Sequence, residues 1–314
     1  MYERCTVVVS RITVHVMRTV AELIREVEKE FARAGLYFGH GTDNALDEAA
    51  WLVGSALQLA PHELDAHIDD RPTPAQQDVI RALVEKRINT RQPLAYLLQE
   101  AWFAGLKFYV DERVLVPRSL TAEFIAEQFQ PWIDPARVRR ILDLCTGSGC
   151  MAIACAYAFP KARVDAADIS EAALAVARIN VEKHGQQGRV QLMHSDLFSG
   201  LSGARYDLIV TNPPYVARAE MQTLPPEYRH EPALALASGA QGLDAVTRIL
   251  AAAPSHLNRG GILVAEVGNS ATSLQERFPS VPFTWLTTAA GDESVFLLTA
   301  AQLQQHHAAF APTR

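Results

Sequence analysis

The sequence predicts an α/β chain, with a small helical bundle followed by a doubly wound, mainly parallel sheet domain. Three observations predict it. Three runs with helical periodicity fill the chain before residue 90. From residue 141 onward strand-like and helix-like runs alternate, which implies parallel strands joined by helical crossovers. The first of those strands passes through a glycine turn straight into an Ala-rich helix, the local pattern of a ligand-binding α/β crevice.

Residues 1–16 are β-rich and precede Met17, so they are expected to be an upstream extension. Thr19-Val20-Ala21-Glu22 has capping-box form, and Val20, Leu23, Ile24, Val27 and Phe31 then recur on one helical face until Gly35. A second helix is expected over 44–59 with Leu46, Ala49, Ala50, Trp51 and Val53. A third starts at Thr73-Pro74 with Val79, Ile80, Leu83, Val84 and Ile88 inward. These helices make a bundle over 17–90. Gln92-Pro93 breaks the periodicity, and two β-like runs between Trp102 and Val116 flank Asp111-Glu112-Arg113, which predicts a hairpin within a linker of 91–118.

The larger domain is expected over 119–300. It opens with a helix to about Gln130, and the alternation that follows places strands at 141–144, 163–167, 190–194 and 206–211, with helices at 150–158 and 170–183. Helix 242–257, strand 261–267, a short helix near 270–277 and β-like runs at 281–287 and 294–299 complete it. Two closing runs without a helix between them predict an antiparallel strand at the end. Residues 301–314 show no clear apolar face and are expected to be a loosely held tail.

With 314 residues, 49% of them apolar and 20% charged, the chain can bury a large core. Its 29 basic against 35 acidic residues give a formal charge of −6, which disfavours duplex nucleic-acid binding by phosphate neutralisation. Three of the four cysteines, Cys145, Cys150 and Cys155, lie in one strand-turn-helix unit without histidines at ligand spacing. They read as small buried apolar residues of a cytoplasmic protein, with no metal expected. No apolar run reaches the roughly 18 residues of a membrane span, so no membrane partner is expected.

The chemistry concentrates in Asn212-Pro213-Pro214-Tyr215, which leaves the apolar run 206–211. The prolines stiffen the loop and lack N–H groups, so the turn is rich in acceptors suited to gripping an NH2 group. Tyr215 offers a flat ring against which a planar group can lie. Upstream, Gly147 and Gly149 let a ligand approach the backbone, and the first turn of the next helix presents free N–H groups where a carboxylate can sit. Asp168 ends the next strand, placed to accept from both ribose hydroxyls of a nucleoside, in preference to Asp165 on the opposite strand face. Asp196 ends the strand after that, where it can accept from an adenine amino group with Leu197 and Phe198 beside the ring.

On these residues the chain resembles the S-adenosylmethionine-dependent methyltransferases that carry the N-P-P-Y motif, and within them the glutamine-amide methyltransferases of the HemK family. The resemblance covers nearly the whole chain from Met17. It implies a Rossmann-like, seven-stranded class I domain, with the N-terminal bundle serving substrate recognition. It implies that Thr146, Gly147, Ser148, Gly149, Asp168, Asp196, Leu197 and Asn212 hold S-adenosylmethionine, with Asp143 beneath the turn. Asn212, Pro213, Pro214 and Tyr215 would hold the acceptor, with Asn212, Pro213 and Tyr215 catalytic. Cys145 and Leu197 stand where the branch acting on peptide chain release factors usually has Gly and Trp. Cys145-Thr146-Gly147-Ser148-Gly149-Cys150, Ala101-Trp102-Phe103, Val116-Pro117-Arg118-Ser119 and Glu266-Val267-Gly268-Asn269-Ser270 look instead like the branch that modifies large-subunit ribosomal protein number three.

Two other readings fit the same residues. Adenine also presents a conjugated NH2, so an adenine-amino methyltransferase acting on flipped bases is one. A non-catalytic, ribosome-associated module that binds S-adenosylmethionine is the other. Glu231 lies in a segment resembling one that flanks the family's substrate groove, and Glu266, at a strand end, fits a buried hydrogen-bonding role as well as a catalytic one.

Overall fold

The computed structural model describes residues 18–310; the extension expected over 1–16 lies outside the described residues. Contacts divide the chain into two compact units. The first runs up to Phe38 and resumes over Thr42–Arg91, and the second takes Gly39–Gly41 with Gln92–Arg314.

The first unit holds α1 (Val20–Arg33), α2 (Ala45–Ala56) and α3 (Pro74–Thr90). Thr19 caps α1 with both capping-box bonds present, and the buried face is Val20, Leu23, Ile24, Val27 and Phe31, as the periodicity predicts. The inner face of α3 differs from the predicted one. It buries Gln77, Ile80, Val84 and Arg87, while Val79 is exposed. The reason is an ion pair across the unit: Arg87 Nε donates to Glu48 Oε1 of α2 at 2.7 Å, both side chains being buried, and this sets the rotation of α3. Leu46, one of the apolar residues of the predicted second helix, is exposed, while Glu48 is buried on the inner face of α2.

The second unit opens with α4 (Leu94–Leu98) and a two-stranded ribbon, β1 (Ala101–Phe103) and β2 (Leu106–Phe108). The hairpin therefore turns at Ala104-Gly105, both at positive φ, and not at the predicted Asp111-Glu112-Arg113. A two-residue turn of that kind matches strand twist. Around 111–113 the chain makes a local turn in which Asp111 accepts from the Arg113 N–H and guanidinium. Val110, Val114 and Val116 read as β-like because they are buried.

The helix after Ser119 is short, α5 (Thr121–Ala126), and gives way to left-handed backbone at Gln128 and Phe129. Then follow β3 (Arg140–Leu144), α6 (Cys150–Ala158), β4 (Arg163–Asp168), α7 (Glu171–Lys183), β5 (Val190–His194) and β6 (Tyr206–Thr211). The unit closes with α8 (Asp244–His256), β7 (Leu257–Glu266), α9 (Ala271–Arg277), β8 (Thr284–Leu286), β9 (Val295–Thr299) and α10 (Ala300–Gln305). Seven of these strands form one sheet in the order β5-β4-β3-β6-β7-β9-β8, parallel except for β9, which runs antiparallel to both neighbours.

Successive residues of β7 feed opposite faces, Ile262 and Val264 into one apolar cluster and Leu263 and Ala265 into the other. Chain order reverses between β3 and β6, which pair Leu144 with Thr211 at their carboxyl ends, so the crevice for a ligand lies there. The expected tail is instead part of the fold through Phe310. Thr299 caps α10 with a full capping box, Leu303 and Phe310 are buried, and the Phe310 ring meets Phe278 edge-on at 5.3 Å. Two side chains spaced seven apart make too sparse an apolar face to register as a periodic run.

Candidate active site

A cavity of about 320 Å³ occupies the crevice at the β3/β6 switch point, lined by Cys145, Gly147, Asp168, Ile169, Asp196, Leu197, Asn212 and Pro214 among others. The loops after four neighbouring strands thus meet in one place.

The turn after β3 is shaped from below. Asp143 Oδ2 accepts from the Thr146 hydroxyl at 2.6 Å and from the Ala152 N–H at 3.0 Å. Asp143, Thr146 and Ser148 are buried beneath the turn, Gly149 is packed away with them, and Gly147 and Cys145 alone of these residues reach the cavity. At Gly149 (φ +80) a side chain would strain the backbone, and its Cβ would press on the Ala177 Cβ of α7 at 3.2 Å. Asn180 of the same helix locks the arrangement, donating to the Ser148 and Tyr109 carbonyls and accepting from the Tyr109 N–H. Sequence reading missed Asn180, since a buried Asn bonded to backbone 32 and 71 residues away has no local signature. Burial pushes the Cys145 thiol well above its usual range, which disfavours the thiolate.

Burial also pushes the Asp143 carboxyl up to about 7, against the two donors that favour its ionised form. Between pH 3.8, where the unfolded group loses its proton, and about 7, the folded chain holds the proton more tightly. That contribution to stability is complete below the unfolded value and is lost as pH rises through about 7. The melting temperature of Asp143→Asn should therefore show a shallower decline from pH 5 to 8 than the parent's. Parallel profiles would remove Asp143 as the titrating group.

Asp168 faces the cavity, its Oδ2 accepting from the Gly147 N–H and its Oδ1 from the Ser170 N–H, both at 2.9 Å. A carboxylate has about four acceptor positions, so two remain for a ligand. Helix α7 takes its cap from Ser170 rather than Asp168. Asp165 is engaged elsewhere, by Arg140 and by the Tyr206 hydroxyl, and does not line the cavity.

Asp196 and Leu197 line the next part of the wall, with Leu197 at φ +49. Phe198 does not flank the site as expected; it is buried and stacks on His256 at 4.5 Å. A second apolar side chain at the cavity is Ile169, 46% exposed and unnoticed in sequence because it reads as the strand's end. Arg248 of α8 was also missed: its Nη2 donates to Asp196 Oδ2 at 2.7 Å.

Asn212 and Pro214 reach the cavity while Pro213 is buried. Tyr215 is held from three sides. Its carbonyl accepts from the Ser270 hydroxyl at 2.8 Å, and its hydroxyl lies 3.5 Å from Glu266 Oε1. Its ring rests on Gly268, where a Cβ would come within 2.4 Å of the ring. Glu266 is anchored in turn by the Ser119 hydroxyl at 2.6 Å and the Leu120 N–H at 3.0 Å, with burial raising its carboxyl. Burial and the neighbouring Glu266 carboxylate raise the Tyr215 phenol further, so it stays protonated. Glu231 pairs with Arg118 through both oxygens and accepts from the Val116 N–H. Among the described residues no cluster of His, Cys, Asp or Glu could hold a metal ion, and no helix is long and apolar enough to cross a membrane.

The family described as Methyltransferase small domain matches residues 121–225, and that described as PrmC N-terminal domain matches residues 22–98. Relatives extend the match over nearly the whole chain. The ribosomal protein uL3 glutamine methyltransferase of Bordetella pertussis is 49% identical over 288 residues, 91% of this chain and 97% of that protein. Those of Neisseria meningitidis serogroup B and Burkholderia pseudomallei are 48% and 47% identical, again over 91% of this chain and 95% and 96% of theirs. Identity of 47–49% over 91% of its length makes the chain a member of the ribosomal protein uL3 glutamine methyltransferase family.

Proposed function

We propose that this enzyme transfers a methyl group from S-adenosylmethionine to the side-chain amide nitrogen of a glutamine in ribosomal protein uL3, in the cytoplasm. The observation that carries the reading is that Asn212 shares one cavity with Gly147 and Asp168, so acceptor and cofactor groups face the same space. The residues suit the cofactor. Asp168 keeps acceptor positions for vicinal hydroxyls, Ile169 and Leu197 offer apolar surface to a flat ring, and Gly147 allows a chain to lie against backbone. Three carboxylates, Asp168, Asp196 and Asp244, against two guanidinium groups, Arg113 and Arg248, suit a ligand bearing positive charge. S-adenosylmethionine supplies an activated methyl on a sulfonium leaving group, and no metal enters the reaction.

The protein's task is then alignment. An amide nitrogen has its lone pair drawn into the carbonyl. The Asn212 side-chain oxygen and the Pro213 carbonyl accept from its two N–H groups, which holds the nitrogen in line and returns electron density to it. Tyr215, fixed on Gly268 and Ser270 and outside the residues lining the cavity, would on this reading lie against the amide plane. Neither Tyr215, protonated, nor Cys145 acts as a base, and none is required, because the amide proton becomes acidic as the new bond forms. The bundle within residues 17–90 has no part in this chemistry and recognises the protein acceptor.

Offering the full chain labelled cofactor with isolated uL3, release factors and DNA, followed by mass spectrometry, tests the assignment. Label is expected on one glutamine amide of uL3. Label on release factors alone would move the chain to the sister branch, and label on adenine would overturn the protein acceptor. Asp168→Ala should weaken S-adenosylmethionine binding by about 1–3 kcal/mol, the scale of a buried partner removed. Calorimetry checks this, and unchanged affinity would refute the ribose role.

A further inference from the structure

Two walls of the cavity come from segments far apart in the chain. One is Arg113, Val114 and Leu115; the other includes Pro232, Leu234 and Ala235. Leu234 is 58% exposed, a large apolar side chain that lines the cavity. The first wall runs directly into Val116 and Arg118, and the second begins immediately after Glu231. Arg118 and Glu231 form one ion pair, its carboxylate buried and its guanidinium partly so.

Arg118 Nη1 and Nη2 donate to Glu231 Oε1 and Oε2 at 2.5 and 2.7 Å, and the Val116 N–H donates to Oε1 at 3.1 Å. His40 Nε2 stands 3.4 Å from Oε2. The Tyr228 ring packs under the Arg118 guanidinium at 5.5 Å and against the His40 ring at 4.6 Å. Tyr96 holds the first wall from behind, its hydroxyl donating to the Val114 carbonyl at 2.5 Å. Neither Arg118 nor Glu231 lines the cavity, so neither touches the reacting atoms.

A buried pair is a weak source of net stability compared with apolar residues of the same volume, whereas a two-pronged guanidinium-carboxylate contact fixes both distance and orientation. The position of the second wall has few other determinants. Between Asn212 and α8 the backbone makes three short 3-10 turns and one bridge, Val216 to Ala237. The fork spans 113 residues of sequence and, with the longer His230 Nδ1–Glu112 Oε1 contact at 3.6 Å, ties the two walls together through side chains.

We propose that Arg118 and Glu231 are a positioning pair that sets the width of the acceptor slot, holding Val114-Leu115 and Pro232-Leu234-Ala235 at the spacing that admits the glutamine-bearing segment. The pair governs acceptor recognition and leaves cofactor affinity alone, because Gly147, Asp168 and Asp196 are fixed by other bonds. This rests on reading the cavity as the methyl-transfer site.

The test compares the parent, Arg118→Lys, Glu231→Gln and the double variant as full chains, reading S-adenosylmethionine affinity, melting temperature, and KM and kcat on uL3 separately. Arg118→Lys keeps the charge and loses the fork, so it carries the test if Glu231→Gln does not fold. The expected result is KM for uL3 raised about tenfold or more, kcat within about threefold and cofactor affinity within about twofold, since only ground-state acceptor placement is lost. The double variant should be little worse than either single one, as partners in one contact are non-additive. A loss confined to kcat, or cofactor affinity falling in step with KM, overturns the proposal. A parent that methylates no protein would instead overturn the functional reading beneath it.

Discussion

Asn212→Ala should bind S-adenosylmethionine almost as the parent does and transfer methyl about a hundredfold more slowly. The side chain faces the cavity from the carboxyl end of β6, beside the prolines that fix its backbone. On the proposed function its oxygen accepts from the amide nitrogen, and an interaction realised as charge moves in the transition state is lost from kcat rather than from binding. Removal of one preorganised polar group of this kind costs roughly 10²–10³ in rate. Single-turnover kinetics at saturating uL3, with calorimetry for the cofactor, separates the two. A single-turnover rate within about threefold of the parent's would remove Asn212 from the acceptor site.

In the first unit the largest effect should come from Arg87→Ala. Arg87 is fully buried, and besides Glu48 it reaches the Tyr37 carbonyl through Nη2 at 3.0 Å. Truncation leaves the Glu48 carboxylate buried without its cation, and breaking a buried pair from one side costs about 3–5 kcal/mol. Replacing both Arg87 and Glu48 by Met should cost much less, because no charge is then stranded. Hydrogen exchange of the α1–α3 amides measures the change in that unit separately from the sheet. Equal exchange rates in Arg87→Ala and the parent would show that the pair contributes nothing.

The sheet was legible because strands buried on both faces read as uninterrupted apolar runs, and helix α6 follows its glycine turn with no ambiguity about where it begins. The N-P-P-Y loop and Asp168 were legible because strand ends announce themselves by a change from apolar to polar residues. What sequence could not show was set by contacts between distant residues. The rotation of α3 follows from Arg87 meeting Glu48, 39 positions away, and a charged residue at that place in a periodic pattern reads as solvent-facing. The hairpin was misplaced because the charged triplet 111–113 is the more conspicuous punctuation, although Ala104-Gly105 carries the positive φ angles that a tight turn requires. Phe198 followed Leu197 into a predicted ring-flanking role, whereas consecutive residues point apart and its ring belongs to the core with His256.

The place of β9 bears on how the protein is made. It is the last strand in sequence, yet it lies inside the sheet, between β7 and β8, and β8 has no other neighbour. During synthesis the strands that carry the glycine turn, Asp168 and Asn212 can pair as they emerge, since β3 to β6 bond only with one another and with β7. The edge of β7, which ends in Glu266 and leads to the Gly268-Ser270 support of Tyr215, stays unpaired until Val295–Thr299 has left the ribosome. An emerging chain can therefore complete the cofactor side of its cavity well before the support of its acceptor side, and a growing polypeptide released before residue 299 would expose an open, apolar strand edge to its neighbours.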